Sequence, residues 1–179
     1  RSENGQEALA ALSSASIDFG SAGDVAAMRA RAGGDPIKAV YVYGGAPITG
    51  YGLLSVREGF AAAHPAVVGH VLKTYDRARK WIVAHPAEAA QVVAGEAKLS
   101  VDEARARLDQ MDFTASAPGP AQVAAIKAAL PRLVADGAPH VKLDATQLVE
   151  DLIDRATARA ALSSVSTALR TCGNFCDHW

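Results

Sequence analysis

Aromatic residues are scarce: phenylalanine, tryptophan and tyrosine make up only 6% of a chain that is 50% hydrophobic. Alanine and the aliphatic residues must therefore fill the core, and an interior built on stacked rings is excluded. Cysteine is nearly missing, and its two copies, Cys172 and Cys176, lie in the last eight residues and say little about the redox history of the core. Charge of one sign is lacking as well. The formal net charge of −1 carries no basic footprint and argues against a nucleic-acid partner. No apolar run approaches the roughly 20 residues of a membrane span. Nor does a basic segment followed by an apolar one stand before the fold, so a chain opening at Arg1 reads as a processed or fragmentary product, or one whose leader was not recorded.

What is present is enough for one domain, 179 residues, perhaps with a tail. Glu3 to Ser13 reads as a helix with Ala8, Leu9 and Leu12 on one side. A strand at 17–20 follows, then a helix from Val25 to about Ala32, which Gly33-Gly34-Asp35-Pro36 ends. The stretch 37–43 is the best strand of the sequence, rich in β-branched and aromatic residues. Helix, strand, helix and strand in close succession predict a parallel sheet with crossover helices.

Gly44 to Gly50 is a cluster of breakers, and a third strand, Tyr51 to Val56, comes straight after it. Helical patterning then runs to Ala161. Pro65 suits the first turn of a helix carrying Val67, Val68, Val71, Leu72, Tyr75, Trp81 and Ile82, and Pro86 restarts a helix after His85. Ser100 and Glu103 form a capping box ahead of a helix whose Leu108 and Met111 are expected to face inward. Pro118-Gly119-Pro120 breaks the chain. Ala121 to Asp136 is expected as a helix kinked at Pro131 and closed by Gly137, and Asp144 as the cap of a last helix bearing Leu148, Leu152 and Ile153.

The stretch Ile17-Asp18-Phe19-Gly20-Ser21-Ala22-Gly23-Asp24 organises the rest. It reads as strand, glycine-rich turn and helix start, with Gly20 and Gly23 allowing positive φ or close backbone approach and Asp24 as N-cap. Such a turn aims backbone N–H groups and a helix N-terminus at one point, which suits an anion; an ordinary tight βα turn accounts for the same pattern. Tyr41 and Tyr43 alternate with Val40 and Val42, so one pair is expected in the core. Tyr43, nearest the strand's carboxyl end, either lines the ligand side or simply packs.

Other chemistry is thin. His64 and His85 precede prolines as helix-boundary residues, and neither Lys73 nor Thr74, at helical spacing from His70, is a metal ligand. Asp102, Glu103, Asp109 and Asp112, beside Arg105 and Arg107, read as a solvated face. In the tail, Cys172, Cys176 and His178 supply at most three good metal ligands, and a local disulfide or free thiols is the simpler reading. No metal or cofactor is expected.

Ile17 to Asp24 followed by Gly34-Asp35-Pro36-Ile37-Lys38 resembles the solute-binding proteins of ABC importers, specifically the aliphatic sulfonate, nitrate and taurine group. Tyr51-Gly52-Leu53-Leu54-Ser55-Val56-Arg57-Glu58, continuing into Phe60 and His64-Pro65, resembles the segment where that family's chain returns from its second lobe. Arg77 to Ile82 before His85-Pro86, and Pro118-Gly119-Pro120, fit its helical C-terminal half. The resemblance runs from about Glu3 to about Leu162.

It implies an α/β fold of periplasmic-binding type II, here one incomplete lobe with a short parallel or mixed sheet and a largely helical C-terminal half. The opening strand and helix are lacking, and a junction at residues 44–51 stands where the family carries its second lobe. Residues 1–162 form this truncated lobe; residues 163–179 are an unrelated, disordered tail, read past a disrupted gene end. The implied function is non-enzymatic: periplasmic binding of a small oxyanion such as an aliphatic sulfonate, for delivery to an ABC permease in the membrane and for sulfur metabolism. Its contacts would be Ser21, Ala22, Gly23, Asp24 and Tyr43, with affinity lowered to about millimolar because closure between two lobes is lost. The alternatives are a non-binding remnant that self-associates through its sheet edge and an enzyme like the pyrimidine synthases of thiamine biosynthesis, which share the fold.

Overall fold

A computed structural model describes residues 5–46, 50–113, 117–131 and 145–163. The first helix, α1 (Gly5–Ser13), buries Ala8, Leu9 and Leu12, the stripe the sequence predicts. Strand β1 (Phe19–Gly23) leads directly into α2 (Asp24–Ala32), and β2 (Ile37–Ala46) and β3 (Gly50–Arg57) follow. Then come α3 (Glu58–Ala63), α4 (Pro65–Ala84), α5 (Pro86–Ala97), α6 (Val101–Asp109), α7 (Pro120–Ala128), α8 (Ala145–Leu152) and α9 (Arg155–Ser163). The prolines at 65, 86 and 120 each sit in the first turn, where the missing N–H costs no hydrogen bond.

The sheet corrects the expectation of parallel pairing. Its order is β1-β3-β2, and both ladders are antiparallel. Because β1 and β2 each oppose β3, they run parallel to one another, as a strand–helix–strand unit should. The place between them is taken by the later strand β3, which neither periodicity nor spacing reveals. The last helices dock on this frame: Ile153 makes a parallel bridge to Ala39, and the Asp154 amide donates to the Ala39 carbonyl at 3.0 Å.

Helices cover both faces. On one, Leu9, Leu12, Met28, Ile126, Leu148 and Leu152 close over Ile37, Ala39, Val42 and Leu53. On the other, Val68 and Leu72 of α4 meet Val40, Tyr41, Leu54 and Val56, with Phe60 and Leu162 alongside. Val40 and Tyr41 are neighbours in sequence yet share a face, because the register shifts between Ala39 and Tyr41. This bulge replaces the simple alternation expected of 40–43: an extra residue on one strand lets two successive side chains point the same way.

Several local expectations change. Strand β1 begins at Phe19 and runs to Gly23, so Gly20, Ser21, Ala22 and Gly23 belong to a ladder rather than to a turn. Gly23 is extended, φ −68° and ψ 156°. Positive φ falls instead at Gly45 and Gly50, φ +118° and +89°, which flank the β2–β3 connection; a Cβ on Gly45 would lie 2.5 Å from the Gly50 carbonyl oxygen. The N-cap of α2 is Gly23, and Asp24 is the first helical residue. On α4, Val67 and Trp81 face outward, since they lie off the row of Val68, Leu72 and Tyr75. Met111 is exposed.

The Ser100–Glu103 capping box is present. An unforeseen cap, Asp154, starts α9 by accepting from the Thr157 amide at 2.9 Å and its hydroxyl at 2.6 Å. Helix α7 ends at Ala128, Leu130 and Pro131 are helical again, and residues 132–136 of the expected helix lie outside the described residues. The closing Gly137, the Asp144 cap, Cys172, Cys176, His178 and the tail beyond Ser163 lie outside the described residues, as does 47–49 within the expected junction.

Candidate functional site

The carboxyl end of β1, the start of α2 and the start of β3 meet at one place, and Asp24 ties them together. Its carboxylate accepts from the Val25 amide at 2.7 Å and from the Tyr51 amide at 3.0 Å. The residue is 5% exposed, so this is a buried carboxyl group held by backbone donors. It stands where the anion of a glycine-turn site was expected, and it already uses two of the N–H groups available there. Gly50 leaves room for it: a Cβ at that position would approach Asp24 Oδ1 to 2.9 Å.

Ser21 faces the opposite way, onto the side of the sheet that carries Phe19 and Tyr43. With them, Ile17, Leu54 and Tyr75 line an open groove of about 640 Å³. Tyr43 lies flat against the strand at Gly52, where a Cβ would come within 2.6 Å of its ring. Burial pushes the Tyr43 phenol up; the Ser21 hydroxyl, in hydrogen-bonding reach, draws it part of the way back, while Tyr75 adds to the rise. The Tyr43 phenol therefore keeps its proton at ordinary pH, and because one of the two hydroxyl protons is used between them, the pair has one left to donate toward the groove.

Of the five residues expected at the site, the structure brings Ser21 and Tyr43 together on the groove. Ala22 is buried on the other face, Gly23 is exposed at the strand end, and Asp24 is turned inward. Sequence reasoning placed Tyr75 on the core-facing row of α4 but did not connect it with Tyr43; their ring centroids are 6.5 Å apart. Among the described residues no lysine, arginine or histidine lines the groove, so recognition of an anion by those residues would rest on hydroxyl and amide dipoles. Among the described residues no three His, Cys, Asp or Glu side chains cluster as metal ligands, and no helix is long and apolar enough to cross a membrane. His64 and His85 occupy the α3–α4 and α4–α5 boundaries; His64 packs against Phe60 and His85 stacks on Trp81.

No protein-family model matches the sequence, and no curated protein matches it. Among solved structures the chain resembles the alkanesulfonate-binding protein SsuA from Xanthomonas axonopodis pv. citri bound to MOPS. The TM-score is 0.66 at 15% sequence identity, covering 86% of this chain and 86% of that one. At that identity the likeness shows the fold alone, an α/β architecture shared with that structure.

Proposed function

We propose that this chain is a solute-binding lobe that takes a small oxyanion, with an aliphatic sulfonate as the leading candidate, and serves an ABC permease from the periplasm. The observation that carries the reading is the pairing of Ser21 and Tyr43 hydroxyls at the carboxyl end of β1, above an open groove, in a fold shared with an alkanesulfonate-binding protein. The two hydroxyls and the exposed Gly23 backbone would hold the oxygens, while Phe19, Leu54 and Tyr75 would receive an organic substituent. Ala22 contributes backbone only. Asp24 acts as the clamp that fixes the strand end and not as a ligand, since its charge would repel an anion. A groove open on one side leaves the ligand wet, so we place the affinity at about millimolar. The proposal includes the truncation: one lobe over residues 1–162, with the second lobe missing at 44–51.

A thermal-shift screen against alkanesulfonates, taurine, nitrate and sulfate tests it, because a ligand bound only by the native state raises the midpoint. The expected result is a rise with one class that disappears in Ser21→Ala and in Gly23→Val. No atom lies within 4 Å of a Cβ built on Gly23, so valine there blocks backbone approach without disturbing the fold.

One observation favours a second reading, a non-binding remnant that self-associates. Asp24 occupies the Val25 and Tyr51 amides, and β1 pairs on one side only among the described strands. A cooperative melt that none of these anions moves, with a concentration-dependent mass by size-exclusion light scattering, would replace the first reading with this one.

A further inference from the structure

Gly52 sits in the central strand β3, with Gly23 of β1 as its ladder partner. Glycine is a poor strand residue because it has no side chain to pack, and inside a strand it often marks a place where another group comes close. The backbone does not ask for it. Positive φ among the described glycines falls at Gly34, Gly45 and Gly50, so the conformation at 52 is open to residues with side chains. What asks for glycine is the Tyr43 ring: a Cβ on Gly52 would lie 2.6 Å from Cε2 of Tyr43, 2.7 Å from Cζ and 3.1 Å from Cδ2. Across the ladder, a Cβ on Gly23 would meet nothing within 4 Å, so the two glycines are not equivalent.

The conflict falls at the working end of the ring. Carbon atoms pack at about 3.5–4.0 Å, so a side chain at 52 displaces Cζ by about 1 Å, and Cζ carries the hydroxyl that reaches Ser21. Tyr43 falls in the register shift between Val42 and Gly45, where no residue of β3 is its ladder partner, and its ring lies over Gly52 instead. The ring also has somewhere to go. Tyr43 and Tyr75 line the groove and also a second hollow, about 290 Å³, walled further by Tyr41, Arg79, Met111 and Phe113. A displaced ring therefore enters open space without breaking the sheet, and its hydroxyl leaves Ser21.

We propose that Gly52 is a positioning residue of the anion site: its missing side chain seats the Tyr43 ring on β3 and so holds the Tyr43 hydroxyl beside Ser21. The consequence for binding rests on the reading of these two hydroxyls as ligand contacts; the seating itself does not. Gly52 acts through Tyr43, and a side chain at 52 leaves the groove without its paired hydroxyls.

The test follows the full chain by NMR and by thermal shift with methanesulfonate. In the wild type, nuclear Overhauser contacts are expected from the Tyr43 ring protons to the Gly52 α-protons and to the Ser21 β-protons. Gly52→Ala should lose the contact to Ser21 and, with it, the rise in midpoint that methanesulfonate gives the wild type. Gly52→Ala should also lower the ligand-free midpoint when Tyr43 is present and leave it unchanged in a Tyr43→Ala background, because the two positions are coupled through the ring alone. If Gly52→Ala by itself does not fold, the double variant must. A Tyr43–Ser21 contact or a methanesulfonate response that survives in Gly52→Ala overturns the proposal, as does an equal loss of midpoint with and without Tyr43 or a double variant that does not fold while Tyr43→Ala does. A wild type that methanesulfonate leaves unmoved overturns the oxyanion reading instead, and the ring contacts and the double variant then decide the role of Gly52 on their own.

Discussion

The two faces of the sheet are built from different materials. Aliphatic and small side chains from α1, α2, α7 and α8 close one face, and both hollows described above open on the other. There Phe19, Tyr41, Tyr43, Phe60 and Tyr75 supply half of the ten aromatic residues the chain possesses. Leucine and methionine interlock, while rings with hydroxyl tips leave gaps and present donors to them. One face is thus closely packed, and the other combines a packed patch with open hollows edged by rings. The scarcity of aromatics in the sequence conceals how strongly they are concentrated.

The sharpest way to break this comparison is a matched pair in β3. Leu53 and Leu54 are adjacent and both buried, but Leu53 points into the aliphatic face and Leu54 borders the groove. Leu53→Ala should cost about 4 kcal/mol, and Leu54→Ala only about 2 kcal/mol because its surroundings are already open. Equal losses in urea unfolding would mean that the two faces are equally well packed.

Asp24→Ala comes next. Removing a buried carboxylate that holds two backbone amides should cost about 2 kcal/mol and lower hydrogen-exchange protection at Tyr51 first. Ser100→Ala, remote from both faces, should cost about 1 kcal/mol through loss of the capping box alone.

A smaller effect is carried by pH. Burial raises the Asp76 carboxyl, but hydrogen bonds and charge from Lys80 and Arg79 outweigh it and hold the group below its ordinary value of 3.8. Its stabilisation is therefore complete above that value and is lost as pH falls through the lower folded one. Asp76→Asn should be less stable than the wild type at pH 7, and the gap should close as the pH is lowered below 3.8. Smallest of all, Ser55→Ala deletes a fully buried hydroxyl that has no partner and should change stability by less than about 0.5 kcal/mol, with a gain as the expected sign.

Local signals were legible in the sequence and long-range ones were not. Pro65, Pro86 and the Ser100–Glu103 pair mark helix starts because each satisfies or removes an orphan N–H within a few residues. Ala8, Leu9 and Leu12 mark a buried stripe because one helix period defines it. The direction of β3, by contrast, depends on its filling the gap between a neighbour close in sequence, as at Ala46↔Gly50, and a distant one, as at Phe19↔Val56, and side-chain alternation carries no sign of direction. The bulge at Ala39–Tyr41 inserts a residue invisible to a period-two pattern. Asp24 has the right residue type for a cap but stands one place too late, and its carboxylate finds a donor at Tyr51 that only the tertiary fold supplies. Tyr43 could be singled out from its place on a strand and Ser21 only from an expected turn that proves to be strand, whereas Arg79, Met111 and Phe113 join Tyr41 only through packing of α4 and the segment after α6.

The late strand in the middle of the sheet also sets a timetable. During synthesis β1, α2 and β2 emerge first, but β1 and β2 share no ladder and can make no sheet between themselves. Until Arg57 has left the ribosome, both strands carry unpaired edges and the apolar residues of either face have no floor to pack on. Order must therefore arrive nearly all at once. The β2–β3 pair, close in sequence, closes first, and β1 is captured against the free side of β3 at the larger loop-closure cost. A nascent chain stopped after Ala46 would be the most vulnerable to aggregation, and one stopped after Arg57 the first able to hold a sheet.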